Sequence, residues 1–376
     1  MKKVFLFLFS ILLVFCFLAC KQRQRPGNYV FGSQPASFND DHIFDSLEYK
    51  IFELPINGAT GYAAVDLPLY KTTNESESEN VVFTLSAGQG FTLLGEMNDW
   101  WYIEVSDVRG WVLHEFCLIN LPDIIPSIVY NNTNTFSSLF RSSGFDIPNI
   151  TGMALYEGKD FNTRLGRDEY FSPVLYSMAP KVFAAQQSAL AEGNTLVIYE
   201  AFRPAEAHDL LHEHFSNLVD TNPVVHAGIT ADSFNIRWFL AEAPYNHQRG
   251  TAIDTSLAVI DRWQYRNSGK YQYMFITECT EYYMQSPMHE LSVASAVFDS
   301  TVYARSTTSW IGAEHSENVT HGTILLQGYC TDAGLTPLAS EWWHFNDLIS
   351  TVTAIDMENE GRYHIERTYS KPPERP

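Results

Sequence analysis

The sequence predicts an α+β domain with a mixed or antiparallel sheet and flanking helices, preceded by a small all-β barrel. Between residues 58 and 121, short apolar segments alternate with glycine, asparagine and aspartate, which is typical of closely spaced strands joined by turns. From about residue 151 to residue 360, helical and extended segments alternate instead. A chain of 376 residues has room for both units, because one domain typically takes roughly 100–200 residues.

Five apolar segments mark the predicted strands of the barrel. They are Gly61–Val65, Val81–Leu85, Phe91–Leu94, Trp100–Ile103 and Gly110–Leu113. The sequences Asp99-Trp-Trp-Tyr102 and Gly110-Trp-Val112 resemble the bacterial SH3-like domains found on cell-wall proteins. The resemblance implies a module over residues 58–121 that either binds wall peptides or packs on the next domain. The aromatic residues Trp101 and Trp111 therefore fit a peptide groove and a barrel core equally well.

The second domain, over residues 151–360, contains clear helix and strand patterns. Pro180–Gly193 predicts a helix, because a proline lies in its first turn and a glycine at its end. Thr195–Tyr199 predicts a buried strand. Further helices are expected over residues 205–217 and around Ile324–Thr331.

Three segments are predicted to lie outside the folded domains. Residues 21–57 are polar and irregular, and suit a tether. Residues 122–150 are rich in proline, asparagine, serine and threonine, which favours a connection. Residues 361–376 form a charged, proline-rich tail that we expect to fray.

Residues 1–20 have the features of an export signal. Lys2 and Lys3 precede an apolar run that is shorter than the roughly 20 residues of a membrane-spanning helix. The closing Leu18-Ala-Cys20 resembles a bacterial lipobox, which implies lipidation of Cys20; ordinary secretion and an uncleaved anchor are the alternatives. We therefore expect an exported protein, lipid-anchored to the membrane of the bacterial cell envelope, on its periplasmic or outer surface.

The formal net charge of −20 bears on partners. A surface with this charge repels phosphate backbones, so nucleic acid is not an expected partner. Cysteines 117, 279 and 330 are far apart and include no CxxC, so neither a disulfide scaffold nor cysteine ligation of a metal is favoured. A disulfide between Cys279 and Cys330 is conceivable in an exported protein, but buried free thiols are favoured.

Two short segments carry the candidate chemistry. His247 and Asp254 lie in the first, and Glu341 and His344 in the second. A catalytic zinc site needs three protein ligands, an open position for water and a base, which these side chains can supply. Each segment alone is weak evidence, since a lone histidine is usually a hydrogen-bonding residue. Gly250 allows the chain to bend sharply after His247.

Arg203 follows the predicted strand Thr195–Tyr199 by four residues. The end of a strand is a common place for a functional side chain. Its guanidinium could stabilise the oxyanion of a tetrahedral intermediate. A salt bridge to Glu200 or Glu206 is the simpler structural interpretation.

Taken in order, Phe-Arg-Pro at 202–204, the HxxGxAxD pattern at 247–254 and Glu-Trp-Trp-His-Phe at 341–345 resemble the zinc D,D-peptidases. Within that family they are most similar to the D-alanyl-D-alanine dipeptidases of the vancomycin-resistance type. The resemblance implies one zinc ion per catalytic domain. It makes His247, Asp254 and His344 the zinc ligands.

The resemblance also assigns the other site residues. Glu341 takes the role of general base and Arg203 that of oxyanion stabiliser. Asp299 receives the ammonium group of the substrate, and Tyr156 matches a substrate-contacting tyrosine. Tyr245 stands where the family usually has a serine that helps to hold the substrate carboxylate.

These residues predict a zinc metallopeptidase that hydrolyses D-Ala-D-Ala or closely related short cell-wall peptides. One alternative is a D,D-carboxypeptidase or endopeptidase that acts on longer peptidoglycan stem peptides, which the bulky Tyr245 favours. The other is a non-catalytic wall-binding lipoprotein, although such a protein has no need for Glu341.

Overall fold

The computed structural model describes residues 53–74, 78–231, 233–241, 246–355, 362–365 and 367–374. The predicted export signal with Cys20, and most of the predicted tether, lie outside the described residues. Among the residues that are described, no helix combines the length and the apolar character needed to cross a membrane.

The described strands, numbered in chain order, alternate with helices only after the first hundred residues. The strands are β1 (Thr60–Ala63), β2 (Leu67–Tyr70), β3 (Val81–Leu85), β4 (Gly90–Met97), β5 (Trp100–Val105), β6 (Val108–Leu113), β7 (Cys117–Asn120), β8 (Val129–Tyr130), β9 (Arg141–Ser142), β10 (Phe145–Asp146), β11 (Lys159–Asn162), β12 (Arg167–Tyr170), β13 (Pro173–Leu175), β14 (Asn194–Glu200), β15 (Ala252–Ser268), β16 (Tyr271–Glu281), β17 (Thr336–Leu338) and β18 (Glu341–Asn346). The α-helices are Leu121–Ile124, Ala179–Ala191, Ala205–Thr221, Pro223–Ile229, Ile236–Phe239, His321–Asp332 and Leu348–Ile355.

The first sheet contains the strands predicted for the barrel, but it is open. Its strand order is β13-β7-β1-β4-β5-β6-β2-β3, so over the described strands the hydrogen-bonded path has two ends. The closed SH3-like barrel that we predicted is therefore not seen. The physical reason lies partly at one edge, where Pro173–Leu175 pairs with β7 and extends the sheet. Trp101 is fully buried in this region, and its ring lies 4.5 Å from that of Tyr176.

The second sheet holds the predicted α+β core. Its order is β17-β18-β15-β14-β8, with β16 paired to β15. β14 and β8 are parallel and the remaining pairs are antiparallel, so the prediction of a mixed sheet with helices is confirmed. All residues of β14 are buried, as expected for a strand covered on both faces. The predicted helices and the predicted strand are present with boundaries shifted by a few residues.

Helix Ala179–Ala191 covers β14. Val182, Ala185 and Ala189 are fully buried, and their spacing of three and four residues places them on one helix face. Gly193 follows the helix with φ +79°, a left-handed conformation that favours glycine at a helix end. The turn at Gly193 thus feeds the chain directly into the strand that leads to the site.

The described residues of the tail, 362–365 and 367–374, pack against the folded part of the chain and do not fray as predicted. The backbone N–H of Lys371 donates to the carbonyl of Gly58 (2.7 Å), and that of Tyr369 donates to Oγ1 of Thr60 (3.0 Å). Closer to the predicted site, Tyr363 stacks on Phe202 with ring centroids 5.3 Å apart. The tail therefore joins the first sheet to the second domain.

The cysteines within the described chain are free thiols, in agreement with the sequence interpretation. Cys117 and Cys330 are buried and Cys279 is half-buried. Burial raises the pKa of the Cys117 and Cys330 thiols, so both are inert packing residues.

Candidate metal centre and active site

Three neighbouring strands bring charged side chains to one face of the second sheet. Asp254 on β15 pairs directly with His344 on β18 and, on its other side, with Glu200 on β14. Residues that lie directly opposite in antiparallel strands point their side chains to the same face. The sheet register therefore places three residues from distant parts of the sequence side by side.

The turn that carries His247 depends on Gly250. Gly250 has φ +67°, and a Cβ built there would lie 2.5 Å from the Leu118 side chain and 2.6 Å from the backbone nitrogen of Leu175. Its carbonyl also accepts a hydrogen bond of 2.7 Å from that nitrogen. The glycine thus lets the chain turn tightly between His247 and β15 while packing against the first sheet.

The three predicted ligands converge. Nδ1 of His344 lies 3.0 Å from Oδ1 of Asp254 and 3.2 Å from Nε2 of His247. The third separation, from Nε2 of His247 to Oδ1 of Asp254, is 3.3 Å. All three side chains are buried.

The outward-facing nitrogens of both imidazoles are held by acceptors. Nδ1 of His247 donates to the carbonyl of Ala201 (2.8 Å), and Nε2 of His344 donates to Oδ1 of Asn346 (3.0 Å). In a neutral imidazole with one nitrogen protonated, the other carries a lone pair. Both lone pairs therefore face the carboxylate oxygen of Asp254, as in histidines that ligate metals.

This donor set fits zinc. Three acceptor atoms that face one another in a buried site need a shared cation between them. With ligand bonds of about 2.0–2.1 Å, the edges of a zinc tetrahedron are roughly 3.3 Å, close to the observed separations. Burial lowers the pKa of His344, which favours the neutral imidazole that binds metal.

Asp254 is the centre of the charged cluster. Burial alone would raise the pKa of its carboxyl group, but the imidazoles of His247, His289 and His344 that surround it hold that pKa well below its usual range. The carboxylate is therefore ionised in the folded protein and available to a cation.

Glu341 lies beside the ligands without belonging to the converging set. Its Oε2 is 3.8 Å from Nδ1 of His344. The strand pairing is irregular here, because Pro337 pairs with Phe345 whereas the next residue, Leu338, pairs with Glu341. The three residues between these points bulge out of register, so Glu341 and His344 can approach although a regular strand would send them to opposite faces.

Burial is the main cause of a raised pKa at Glu341, and the charge of Asp254 adds to it. Trp342 and Trp343 are also buried, and Nε1 of Trp342 donates to Oγ of Ser286 (3.0 Å). A carboxyl group with a raised pKa in a water-excluding setting is suited to taking and returning a proton.

Arg203 is anchored at the rim of the cluster. Its Nε donates to Oε2 of Glu200 (2.7 Å), its Nη2 lies 3.4 Å from Oδ2 of Asp254, and its Nη1 lies 3.2 Å from Nδ1 of His208. The salt bridge to Glu200 that we considered from the sequence is thus present, and it also places the guanidinium at the site. Burial alone would lower the pKa of Arg203, but the negative charges of Glu200 and Asp254 raise it.

The predicted substrate-binding residues are placed differently. The hydroxyl of Tyr156 donates to Oε1 of Glu200 (2.5 Å), so this tyrosine joins the charged cluster. Asp299 is exposed, and the backbone N–H of Phe298 beside it donates to the carbonyl of Ala339 (3.4 Å), two residues before Glu341. Tyr245 lies outside the described residues.

Sequence reasoning missed several contacts of the site. Asn346 could have been found, since it follows His344 by two residues and side chains at that spacing in a strand share a face. His208 and His289 offered no such signal. Nε2 of His289 lies 3.2 Å from Oδ2 of Asp254, across a distance of 35 residues in the chain.

The comparison with protein families agrees with this geometry. Residues 174–357 match the family model described as D-ala-D-ala dipeptidase, a segment that contains all the residues of the converging cluster. No match was found among curated proteins. The match indicates a metallopeptidase, and over residues 174–357 the chain is similar to the D-ala-D-ala dipeptidases.

Proposed function

We propose that this protein hydrolyses D-Ala-D-Ala, or closely related short cell-wall peptides, with one zinc ion held in the second domain. The observation that carries the proposal is the inward-facing set of two imidazole lone pairs and one carboxylate oxygen, with separations of 3.0, 3.2 and 3.3 Å. The family match supports the same chemistry.

His247, Asp254 and His344 would hold the zinc ion. When bound there, zinc would act as a Lewis acid that polarises the scissile carbonyl, and it would lower the pKa of a bound water to about 7. Ala201 and Asn346 keep the two imidazoles in the tautomers that this role requires.

Glu341 acts as the proton carrier. Its carboxylate takes a proton from the attacking water and delivers it to the nitrogen of the leaving amino acid. Its position beside His344, but outside the set of three converging atoms, suits this role.

Arg203 provides a fixed positive charge. The salt bridge to Glu200 holds the guanidinium in one orientation next to the Asp254 carboxylate. A donor held in this way can stabilise negative charge that develops on the scissile carbonyl oxygen. Tyr156 extends the same network through Glu200.

Asp299 is proposed to pair with the ammonium group of the substrate. Because its carboxylate is exposed, the pairing favours short peptides with a free N-terminus without closing the site to longer ones. The alternative substrate class is therefore a longer stem peptide cleaved by D,D-carboxypeptidase action, which the tyrosine at position 245 also favours.

For the location we propose an exported protein, anchored to the cell envelope through a lipid on Cys20. The basic start, the apolar run and the Leu-Ala-Cys sequence support this. The enzyme would then meet wall fragments outside the cytoplasm, where a role in remodelling or scavenging the wall is expected.

The test combines metal analysis with peptide cleavage. The purified protein should contain zinc and release D-alanine from D-Ala-D-Ala but not L-alanine from L-Ala-L-Ala, as followed by mass spectrometry. His344→Ala should lose both the metal and the activity. His226→Ala, at an exposed histidine on helix Pro223–Ile229 and away from the ligands, is the matched control and should keep both.

An N-acylated stem peptide distinguishes the two substrate classes. A dipeptidase leaves it intact, whereas a D,D-carboxypeptidase removes its terminal D-alanine with a higher kcat/KM than it shows for the dipeptide. A wild-type protein that binds no zinc and cleaves neither peptide refutes the proposed function.

A further inference from the structure

The two oxygens of the Asp254 carboxylate face different neighbours. Oδ1 faces His247 and His344, at 3.3 and 3.0 Å. Oδ2 faces away from them, toward Nε2 of His289 at 3.2 Å and Nη2 of Arg203 at 3.4 Å. Oδ1 thus belongs to the proposed metal site, and Oδ2 contacts His289 and Arg203 on the side away from that site.

We propose that His289 is a positioning residue for the metal centre, which donates its Nε2–H to Oδ2 of Asp254 and so directs Oδ1 toward the metal. The inference rests on the proposed zinc site and adds a residue that neither the motifs nor the family resemblance identified. Ligating carboxylates are commonly hydrogen-bonded by a second layer of side chains, which fixes their orientation.

The ring of His289 is held by aromatic packing. It stacks on Phe140, with centroids 4.2 Å apart and an interplanar angle of 14°. Trp343 and Tyr199 contact it edge-on, with centroids 5.8 and 6.5 Å away. The side chain is fully buried, so the ring has little room to rotate away from Asp254.

The ring nitrogens are not equivalent. Nδ1 is buried without a hydrogen-bond partner among the described residues, while Nε2 meets the Asp254 carboxylate. A carboxylate only accepts, so the proton of a neutral His289 lies on Nε2. The single hydrogen bond of this imidazole is therefore the one to Asp254.

The backbone conformation and a backbone hydrogen bond also fix the position of His289. Its φ is +60°, a left-handed conformation that is uncommon outside glycine and that asparagine, aspartate and histidine adopt more readily than other residues. Its carbonyl accepts a hydrogen bond of 3.1 Å from the backbone N–H of Arg141. The backbone conformation and this hydrogen bond together fix where the imidazole enters the site.

His289 is better explained as a positioning residue than as a ligand of a second metal. Glu200, Asp254 and His289 do lie close enough to one another to hold an ion. However, the guanidinium of Arg203 already bonds Glu200 and lies next to Oδ2 of Asp254. A second cation there would face this fixed positive charge at short range.

Arg203 cannot replace His289 in this role. The hydrogen bonds of its Nε and Nη2 to Glu200 fix the guanidinium, and its contact to Oδ2 is the longer of the two. Loss of the His289 hydrogen bond should therefore leave the carboxylate free to rotate. Loss of such outer contacts typically weakens metal binding by about 10–100-fold.

The test compares two amides at this position. In His289→Gln the side-chain NH₂ can reach the place of Nε2 and donate to Asp254. In His289→Asn the NH₂ takes the place of Nδ1, which has no partner, and cannot reach the carboxylate. Asparagine tolerates the positive φ better than glutamine does. If only the backbone conformation mattered, the Gln variant would therefore be the more damaged one, whereas loss of the hydrogen bond to Asp254 damages the Asn variant more.

Zinc affinity is measured for the full-length variants by competition with a chromophoric chelator, and folding of the metal-free proteins by thermal denaturation. We expect His289→Asn to bind zinc about 10–100-fold more weakly than the wild type, and His289→Gln to stay within about threefold of it. The metal-free Asn variant should be at least as thermostable as the Gln variant.

Two results overturn the inference: wild-type affinity in the Asn variant, or an equal loss in both variants. Either can occur while the wild type binds zinc tightly, and the proposed function then survives. A wild type that fails to bind zinc in the same assay refutes the zinc site itself.

Discussion

Replacement of Glu341 by glutamine tests the role of this residue as a base independently of metal binding. The amide keeps the size and buried position of the side chain but cannot accept a proton at neutral pH. The three converging ligand atoms, on His247, Asp254 and His344, are untouched. Glu341→Gln should therefore keep its zinc and lose most of its activity.

The structure places the expected loss at the upper end of the usual range. A general base contributes about 10²–10⁴-fold to the rate, which corresponds to roughly 3–5 kcal/mol in the activation barrier. The other carboxylates near the site are already engaged, Glu200 by Arg203 and Asp254 by the histidines. Neither of these carboxylates is free to replace Glu341, so we expect a loss of about 10³–10⁴-fold in kcat.

Folding should not suffer in the same variant. Burial and the charge of Asp254 raise the pKa of Glu341 in the folded, metal-free protein. For an acid with a raised folded-state pKa, ionisation opposes folding more as pH rises above the unfolded-state pKa. A neutral amide removes this penalty, so metal-free Glu341→Gln should melt at or above the temperature of the wild type at neutral pH.

The assay is the initial rate of D-alanine release at saturating substrate, with zinc content measured on the same samples. Retention of more than about a tenth of the wild-type kcat with zinc bound is incompatible with a general base. A variant that loses its zinc would instead make Glu341 a ligand. His226→Ala again controls for the effect of mutation and purification.

Three further predictions follow from the same structure. Arg203→Lys keeps the charge but not the planar fork that Glu200 holds, so kcat/KM should fall by about 10²-fold or more at unchanged zinc content; activity near the wild-type level would remove Arg203 from catalysis. Asp299→Asn should raise KM for D-Ala-D-Ala by no more than about fivefold, because an exposed ion pair contributes at most about 1 kcal/mol; an equal change for an N-acylated peptide would contradict pairing with the ammonium group. Burial raises the pKa of Glu53 to about 8, so the stability of Glu53→Gln relative to the wild type should rise progressively from pH 5 to pH 8, by roughly 3–4 kcal/mol in total. Chemical denaturation at both pH values measures this, and a constant difference would contradict the raised pKa.

Local patterns in the sequence were sufficient for the main elements of the second domain. Val182, Ala185 and Ala189 are buried, and their spacing predicted one face of a helix. The apolar run of β14 predicted a buried strand. Periodicity can reveal both, because each pattern lies within a single element. The candidate ligands were identified by the resemblance to the zinc D,D-peptidases and not by periodicity.

The relative placement of those elements could not be predicted in the same way. The pairing of Asp254 with His344 joins residues 90 positions apart, and no local propensity encodes that register. The irregular pairing that turns Glu341 toward His344 is likewise set by β17. The strand Pro173–Leu175 escaped prediction because three residues carry no measurable alternation.

His289 shows the same limit for the site itself. It lies in a stretch of irregular structure, and what gives it a role is packing on Phe140 and a hydrogen bond to Asp254. Both contacts are made across the fold. A sequence motif records residues that are near one another in the chain, so a positioning residue of this kind becomes visible only in three dimensions.

The composition of the cluster argues for function over stability. Glu200, Arg203 and Asp254 are buried charges that lie in contact, and buried ion pairs often stabilise a fold no more than apolar residues of similar size. Apolar side chains on these strands would give a simpler core, yet the charges are accompanied by His247 and His344 with their lone pairs turned inward. A cation at the centre explains why these buried charges lie side by side on three adjacent strands of the second sheet.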